Sequence, residues 1–394
     1  MLIAGDPSGD ALGAELIGAL RDTCAARGGT EPRFFGAGGP QMQAAGMELI
    51  FDFTRDAVFG LEALKRLFEF RRQLHELVAI AVERRPDAII CVDFSGFNRR
   101  FAHAIKRQIA PRPGAGSGWA PKIVQYVSPQ VWASRPRRAD SLGRAVDLLL
   151  TIFPFEKAWY RERVPGLRVE FVGHPIIDRY RSQWIDVEPQ PPGASPSIVL
   201  FPGSRPTELK RHLPVMLGAL DYLRASRPGS RVAMVLSPRL MDMARRLGVP
   251  PEVEIKPELA ETLRGADLAI AKSGTITLEC AYFGVPTVAM YRTSLLTYML
   301  ARCIVHVKWI AMPNILGDEE IFPEFIQERA TAANIGRAAL ELLEDPGRRN
   351  NVKAALRRVA ASLGQPGASR RAAGEILRLL EPQSAASSIV HEQA

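Results

Sequence analysis

The sequence predicts an α/β protein made of two doubly wound domains in tandem. Three observations point there. Short Val-, Ile- and Leu-rich runs alternate with stretches of helical period, a Pro-rich stretch interrupts them near the middle, and the same alternation then begins again.

In the first half, strands are expected at "LIA", "RFFGAG", "AIICVD", "KIVQYV", "DLLLTI" and "VEFVG", with helices between them. The longest helix runs from Leu61 to Arg85. Residues 185–197, "IDVEPQPPGASPS", have the composition of a linker. Beyond it come the strands "SIVLF", "RVAMVLS", "VEIK", "DLAIA" and "PTVAMY", with helices starting near Thr207 and Thr275. Domains are therefore expected over 1–184 and 198–364, followed by a C-terminal helix and flexible tail over 365–394. Ligands of such sheets bind beyond the carboxyl ends of the strands, so the loops after each strand are the ones to inspect.

The chain has 394 residues, too many for one ordinary core, and 47% of them are hydrophobic, which is ample for two. Its formal charge of +9 favours anionic partners, among them nucleotide phosphates and acidic membrane faces. No apolar run approaches the roughly 18 residues of a membrane span, and "MLIAGDPSGD" is not a signal peptide, so a cytoplasmic protein is expected. Cys24, Cys91, Cys280 and Cys303 are widely spaced, and the histidines show no ligand spacing. Neither a metal site nor a disulfide framework is expected.

Four loops could carry chemistry. "AGDPSGDALGAEL" offers small residues and a helix start capped by Ser8 or Asp10, which suits an anion but equally a tight turn. It is neither GxGxxG nor GxxxxGK[ST], so a dinucleotide or ATP site is not supported. "FFGAGGPQMQAAGM" repeats that construction. In "FPGSRPTELKRHLP", Gly203 and Ser204 turn the chain and Arg205 stands at a strand's carboxyl end, where its planar fork suits a diphosphate. A surface arginine explains that segment equally well.

The strongest local signal is "DLAIAKSGTITLECAYFGVPTVAMY". Ser273, Gly274 and Thr275 open a helix, and Glu279 lies one turn further on the same face. Free N–H groups at the helix start can hold a phosphate, and the carboxylate can bind a ribose diol.

With these segments in view, the chain resembles the lipid-A-disaccharide synthases, glycosyltransferases of family 19 with the GT-B architecture, in which a cleft separates two Rossmann-like domains. The matching segments, in order, are "AGDPSGDALGAELI", "GAGGPQMQAAGM", "VDFSGFN", "YVSPQVWA", "RAVDLLLTIFPFEKAWY", "FVGHPIID", "LFPGSRPTELKR", "SGTITLECAYFGVP", "YRTSLLTYMLARCIVHVKWIAMPNIL" and "PEFIQE".

The resemblance implies an inverting transfer from UDP-2,3-diacylglucosamine to the 6-hydroxyl of 2,3-diacylglucosamine 1-phosphate. Its products are UDP and the lipid A disaccharide 1-phosphate. Asp93 is the implied catalytic carboxylate, the base that accepts the acceptor's proton. Gly203, Ser204, Arg205, Ser273, Gly274 and Thr275 are expected around the UDP diphosphate and Glu279 at its ribose. Asn314 and Gln327 match family positions near the donor. On the acceptor side the candidates are Ser8, Asn98, Ser128, Trp132 and His174. No cofactor or metal is implied, since a helix dipole and an arginine can do a metal's work.

Acylated substrates imply work at the anionic cytoplasmic face of the inner membrane without spanning it. The helix from Leu61 to Arg85 mixes Phe68 and Phe70 with Lys65, Arg66, Arg71 and Arg72, as an interfacial helix does, although a core-facing stripe is the commoner cause. Arg135, Arg137 and Arg138 suit an acceptor phosphate, lipid head groups or plain solvent. Nucleic acid is not expected as a partner, and homodimerisation is left open.

Some positions depart from the family pattern. Asp6 stands for a Glu, Gly96 replaces a second acid in the "VDFSGFN" segment, and Ser134 replaces a Trp. The missing acid predicts a lower pKa at Asp93 than in its relatives, because a like charge nearby raises a carboxylate's pKa. The chain also begins almost at its first strand, so the natural start is expected some residues earlier. The competing readings are another UDP-hexosamine transferase or epimerase of this fold, and a non-catalytic sugar-nucleotide or lipid binder.

Overall fold

A computed structural model describes residues 1–54, 63–110, 118–180 and 195–381. They form two compact units. One comprises Met1–Trp132, Pro136–Pro175 and the chain from Gln365; the other comprises Ala133–Arg135 and Ile176–Gly364.

The first unit holds a parallel sheet of β1 (Leu2–Ile3), β2 (Phe35–Gly38), β3 (Glu48–Asp52), β4 (Ala88–Val92), β5 (Lys122–Tyr126), β6 (Leu148–Thr151) and β7 (Arg168–Phe171). Their order is β3-β2-β1-β4-β5-β6-β7. Leu2 pairs with Gly36 on one side and Ile90 on the other, so β1 is the centre of the sheet.

Alternate residues feed opposite faces. Ile3, Ile89, Cys91, Ile123 and Leu149 enter one core, while Leu2, Ile90, Val92, Val124 and Leu150 enter the other. Both faces are therefore apolar, which is why these strands read as continuous hydrophobic runs. The edge strand β3 escaped the sequence reading because its side chains are only partly buried and Glu48 and Asp52 break its apolar run.

Helix Pro7–Ala26 covers one face through Leu12, Leu16, Ile17 and Leu20. Helix Ala368–Leu380 joins it there through Ala372, Ala373 and Ile376. Arg371 Nε donates to Val172 O at 2.7 Å, and Arg168 pairs with Glu375 at 2.8 Å, so the chain's last helix is tied to the first unit. Helices Ala63–Arg84 and Ser95–Ile109 cover the other face through Leu77, Ala81, Phe97 and Phe101. The start expected at Leu61, the Lys65 and Arg66 side chains, linker residues 185–194 and the tail from 382 lie outside the described residues.

The second unit has β8 (Ser197–Phe201), β9 (Arg231–Val235), β10 (Glu254–Lys256), β11 (Leu268–Lys272), β12 (Thr287–Tyr291) and β13 (Glu324–Ile326), in the order β10-β9-β8-β11-β12-β13 and all parallel. The three-residue β13 was not foreseen, being too short for a periodic signal. The changeover between units falls at Pro175 and Ile176, ahead of the boundary at 184 read from the sequence. Helix Ile176–Tyr180 belongs to the second unit because Tyr180 packs on Tyr282 and Phe283, with ring centroids 5.9 and 5.1 Å away.

Each sheet reverses its winding once, between β1 and β4 in the first unit and between β8 and β11 in the second. Such reversals open a crevice at the carboxyl ends of the strands, and Ser8, Asp93 and Asn98 lie at the first of these places and Gly203–Arg205 and Ser273–Thr275 at the second.

Candidate active site

In the first unit, β4 ends in an unusual turn. Asp93 and Phe94 are both left-handed, with φ of 45° and 41°, and after the neighbouring β5, Val127 has φ of 67°. Each such residue costs on the order of 1–3 kcal/mol, so surrounding bonds must hold it. Asp93 N donates to Tyr126 O at 2.8 Å. Asp93 O accepts from Asn98 Nδ2 at 2.9 Å and from Gln125 Nε2 at 3.1 Å. Gln125 also donates to Val127 O at 3.1 Å, clamping both strained turns.

Asn98 is fully buried and reaches Ile3 O and Val92 O as well, each at 3.3 Å. Its amide fastens β1 to β4 beneath Asp93, which is a positioning role. Gln125 does similar work and was missed, because a glutamine inside a strand carries no motif.

Burial pushes the Asp93 carboxyl up to about 6, and the Asp6 carboxylate adds to the rise while an N–H of Phe94 opposes it. Burial and Asp6, rather than a second acid at position 96, set this value. A side chain at Gly96 would stand in open space, where solvent screens charge, whereas Asp6 follows β1 at the switch point itself.

The loop after β1 is also better defined than its sequence implied. Asp6, not Ser8 or Asp10, caps its helix, accepting from Gly9 N at 2.7 Å. Ser8 is exposed in the first turn. Asp10 is buried and caps the following helix, accepting from Gly39 N at 2.9 Å and from Gln41 N and Met42 N at 3.0 Å. The second acid of "GDPSGD" thus joins two βα turns.

Ser128, Trp132 and two residues missed from sequence, Glu156 and Tyr160, form one buried network. Trp132 Nε1 donates to Glu156 Oε1 at 3.0 Å, and Phe153 N donates to Oε2 at 3.2 Å. Ser128 Oγ lies 3.1 Å from Tyr160 Oη, which donates to Pro129 O at 3.1 Å. Burial outweighs these bonds and pushes Glu156 up to about 7. His174 stacks obliquely near Phe153, 5.3 Å between centroids.

In the second unit the loop after β8 wraps a carboxylate. Ser204 N donates to Glu208 Oε2 at 3.0 Å, and Gly203 has φ of 122° with Glu208 Oε2 2.6 Å from where a Cβ would stand. Only glycine fits both constraints. Glu208 Oε1 lies 3.6 Å from an Arg205 nitrogen and 3.3 Å from Lys272 Nζ, at the end of β11. His212, fully buried, accepts from Arg292 N at 3.1 Å and donates from Nδ1 to Pro202 O at 2.8 Å. Burial holds its pKa below the usual histidine value, which fits that neutral tautomer.

Helix Thr275–Tyr282 starts at Gly274, with φ of 154°, and its first residue, Thr275, is exposed. Ser273 is buried and its hydroxyl donates to Ile310 O at 2.7 Å. The unforeseen Thr277 donates to Gly274 O at 2.7 Å and accepts from Met312 N. Glu279 accepts from Tyr180 Oη at 2.9 Å, and burial raises its pKa.

Asn314 and Gln327 turn inward. Asn314 Nδ2 donates to Phe322 O and Glu324 Oε1, while its Oδ1 accepts from Ile321 N and Phe322 N, all within 3.0 Å. That uses the whole amide, so Asn314 shapes the loop rather than offering hydrogen bonds to a ligand. Gln327, left-handed at φ of 53°, accepts from Thr293 N at 2.7 Å and donates to Thr293 O at 3.3 Å. It fixes the loop after β12. Among the described residues, no cluster of three or more His, Cys, Asp or Glu could hold a metal ion.

The family model for lipid-A-disaccharide synthetase matches residues 1–376. The lipid-A-disaccharide synthase of Geobacter metallireducens is 36% identical over 392 residues, which cover 96% of this chain and 97% of that protein. The Myxococcus xanthus synthase is 33% identical over 400 residues, with 97% of each covered. Among solved structures, the glycotransferase of kitacinnamycin superposes with a TM-score of 0.60 at 20% identity, covering 96% of this chain and 98% of that one. The UDP-GlcNAc 2-epimerase from Neisseria meningitidis, bound to UDP-GlcNAc, does so at 0.59 and 12%, covering 96% and 99%. These two likenesses show the α/β GT-B fold, and the family match and the sequence relatives show the lineage: the chain belongs to the lipid-A-disaccharide synthase family.

Proposed function

We propose that this glycosyltransferase joins UDP-2,3-diacylglucosamine to 2,3-diacylglucosamine 1-phosphate, releasing UDP. The observation that carries the reading is Asp93, held in a strained turn at a switch point with its pKa raised to about 6. Such a carboxylate is ionised at neutral pH yet more basic than a solvated one, as a general base should be.

The acceptor's 6-oxygen attacks the donor's anomeric carbon from the face opposite UDP, and its proton passes to Asp93. As the bond from that carbon to the diphosphate oxygen breaks, charge collects on UDP. The Gly203–Arg205 loop and the start of helix Thr275–Tyr282 lie beside one another at the second unit's switch point, and they bind that anion. Glu279 receives the ribose hydroxyls.

The acyl chains keep the enzyme at a membrane face. No helix among the described residues is long and apolar enough to span a bilayer. Helix Leu295–Ile304 buries none of its residues and exposes Leu295, Leu296, Met299 and Leu300 by 56–73%. No acid occurs from Cys280 to Gly317, while Arg292, Arg302 and Lys308 do, so this surface suits an anionic bilayer. Phe68, 67% exposed, is a second apolar contact on helix Ala63–Arg84.

The test supplies both acylated substrates and follows UDP and disaccharide. Wild-type enzyme should form both and Asp93→Ala almost none; equal turnover by the two would rule out the role given to Asp93. Sedimentation with vesicles of anionic phospholipid should carry down the wild type, and a variant with Ser at 295, 296, 299 and 300 should stay in solution.

A further inference from the structure

We propose that Lys272 is the second cation of the diphosphate cradle, with Glu208 holding it and Arg205 in place until the anion arrives. The inference rests on reading the second unit as the UDP-sugar site, and it concerns a residue that no motif singled out.

Lys272 is the last residue of β11, at the switch point against β8. Its ammonium lies 3.1 Å from where a Cβ of Gly274 would stand, directly over the residue that caps helix Thr275–Tyr282. The face of Tyr291 lies 5.8 Å from the same nitrogen and favours a cation there.

Glu208 shows what this place binds. A carboxylate already sits there, taking the Ser204 N–H, the Lys272 ammonium and the Arg205 guanidinium as partners. Lys272 and Arg205 thus bring two positive charges to a helix N-terminus, where an anion is favoured. The Lys272 side chain is 20% exposed and that of Glu208 is 12% exposed, so the pair is shielded enough for the charge to count. Arg205, 60% exposed, is the outer of the two cations. When UDP forms, negative charge grows on the β-phosphate, and the ammonium turns from Glu208 to that oxygen.

A purely structural Lys272 would only neutralise Glu208, so its loss is also read in a Glu208→Gln background, where no carboxylate is left to neutralise. Dissociation constants for UDP, UMP and uridine are measured by calorimetry on wild type, Lys272→Ala, Lys272→Met and Lys272→Arg, with thermal melting as a check on folding. Loss of one charge-assisted contact predicts about a ten- to hundredfold weaker UDP complex in the Ala and Met variants. Uridine affinity should not change, and Lys272→Arg should restore most of the UDP affinity.

Unchanged UDP binding in both the Ala and Met variants would overturn the proposal. So would equal losses for UDP and uridine, the mark of a distorted loop. A wild-type protein that binds no UDP would instead overturn the underlying assignment of the second unit, and this inference with it.

Discussion

The ring of Phe94 lies so close over Gly5 that a Cβ there would meet its Cγ at 2.1 Å. The loop after β1 thus supports the residue that follows Asp93, and a methyl group at Gly5 must push that ring and its strained turn aside. Gly5→Ala should lower kcat by about ten- to a hundredfold, as displacement by an ångström does, while UDP affinity stays as it was. Steady-state kinetics beside a UDP titration would check the separation.

Proton abstraction by Asp93 sets an acid limb. With a pKa pushed up to about 6, activity should fall about tenfold per pH unit below that value and level off above it. Asp6 contributes to the rise, and Asn caps a helix as well as Asp does. Asp6→Asn should therefore move the limb to lower pH without unfolding the helix. A pH–rate profile that does not move would remove Asp6 from the account.

The same shift predicts a cost in stability. A carboxyl whose folded pKa is raised from 3.8 to about 6 is harder to ionise in the folded state. The penalty is absent below the unfolded pKa, grows through the window from about 4 to 6, and is complete above it. Asp93→Asn, expected to lose activity, should be more stable than wild type at pH 7.5 by roughly 2–3 kcal/mol. That gain should vanish near pH 4, which melts at the two pH values would show.

Glu156 is expected to matter for folding more than for chemistry. Glu156→Ala would leave the Trp132 indole N–H and the Phe153 N–H buried without an acceptor. Each such loss costs about 1–3 kcal/mol, so denaturant melts should show a drop of roughly 2–4 kcal/mol. Trp132→Phe, which removes only the donor, should cost less.

Much of the fold could be read from the residues because parallel strands buried on both faces leave continuous apolar runs. "AIICV" and "LAIAK" carry their position in their composition. β3 and β13 do not, being short or half-exposed edges whose pairing comes only from their neighbours. The strand-to-helix turns that hold Asp93, Arg205 and Ser273 were also legible, because each follows an apolar strand run, and Glu279 lies one turn into the helix that Ser273 precedes. Gln125, Glu156, His212, Glu208 and Lys272 were not, because each acts on a partner from another turn of the chain.

By itself, the sequence determined two tandem α/β units, the places where their strands end and the family to which they belong. Tertiary structure alone decided what each polar group there does. It turned Asn314 and Gln327 inward as braces, gave Asp10 to a neighbouring helix and set Asp6 near Asp93. The physical reason is that strand and helix periods are local and survive in composition, whereas hydrogen-bond partners and buried charges depend on which loops the sheet order brings together.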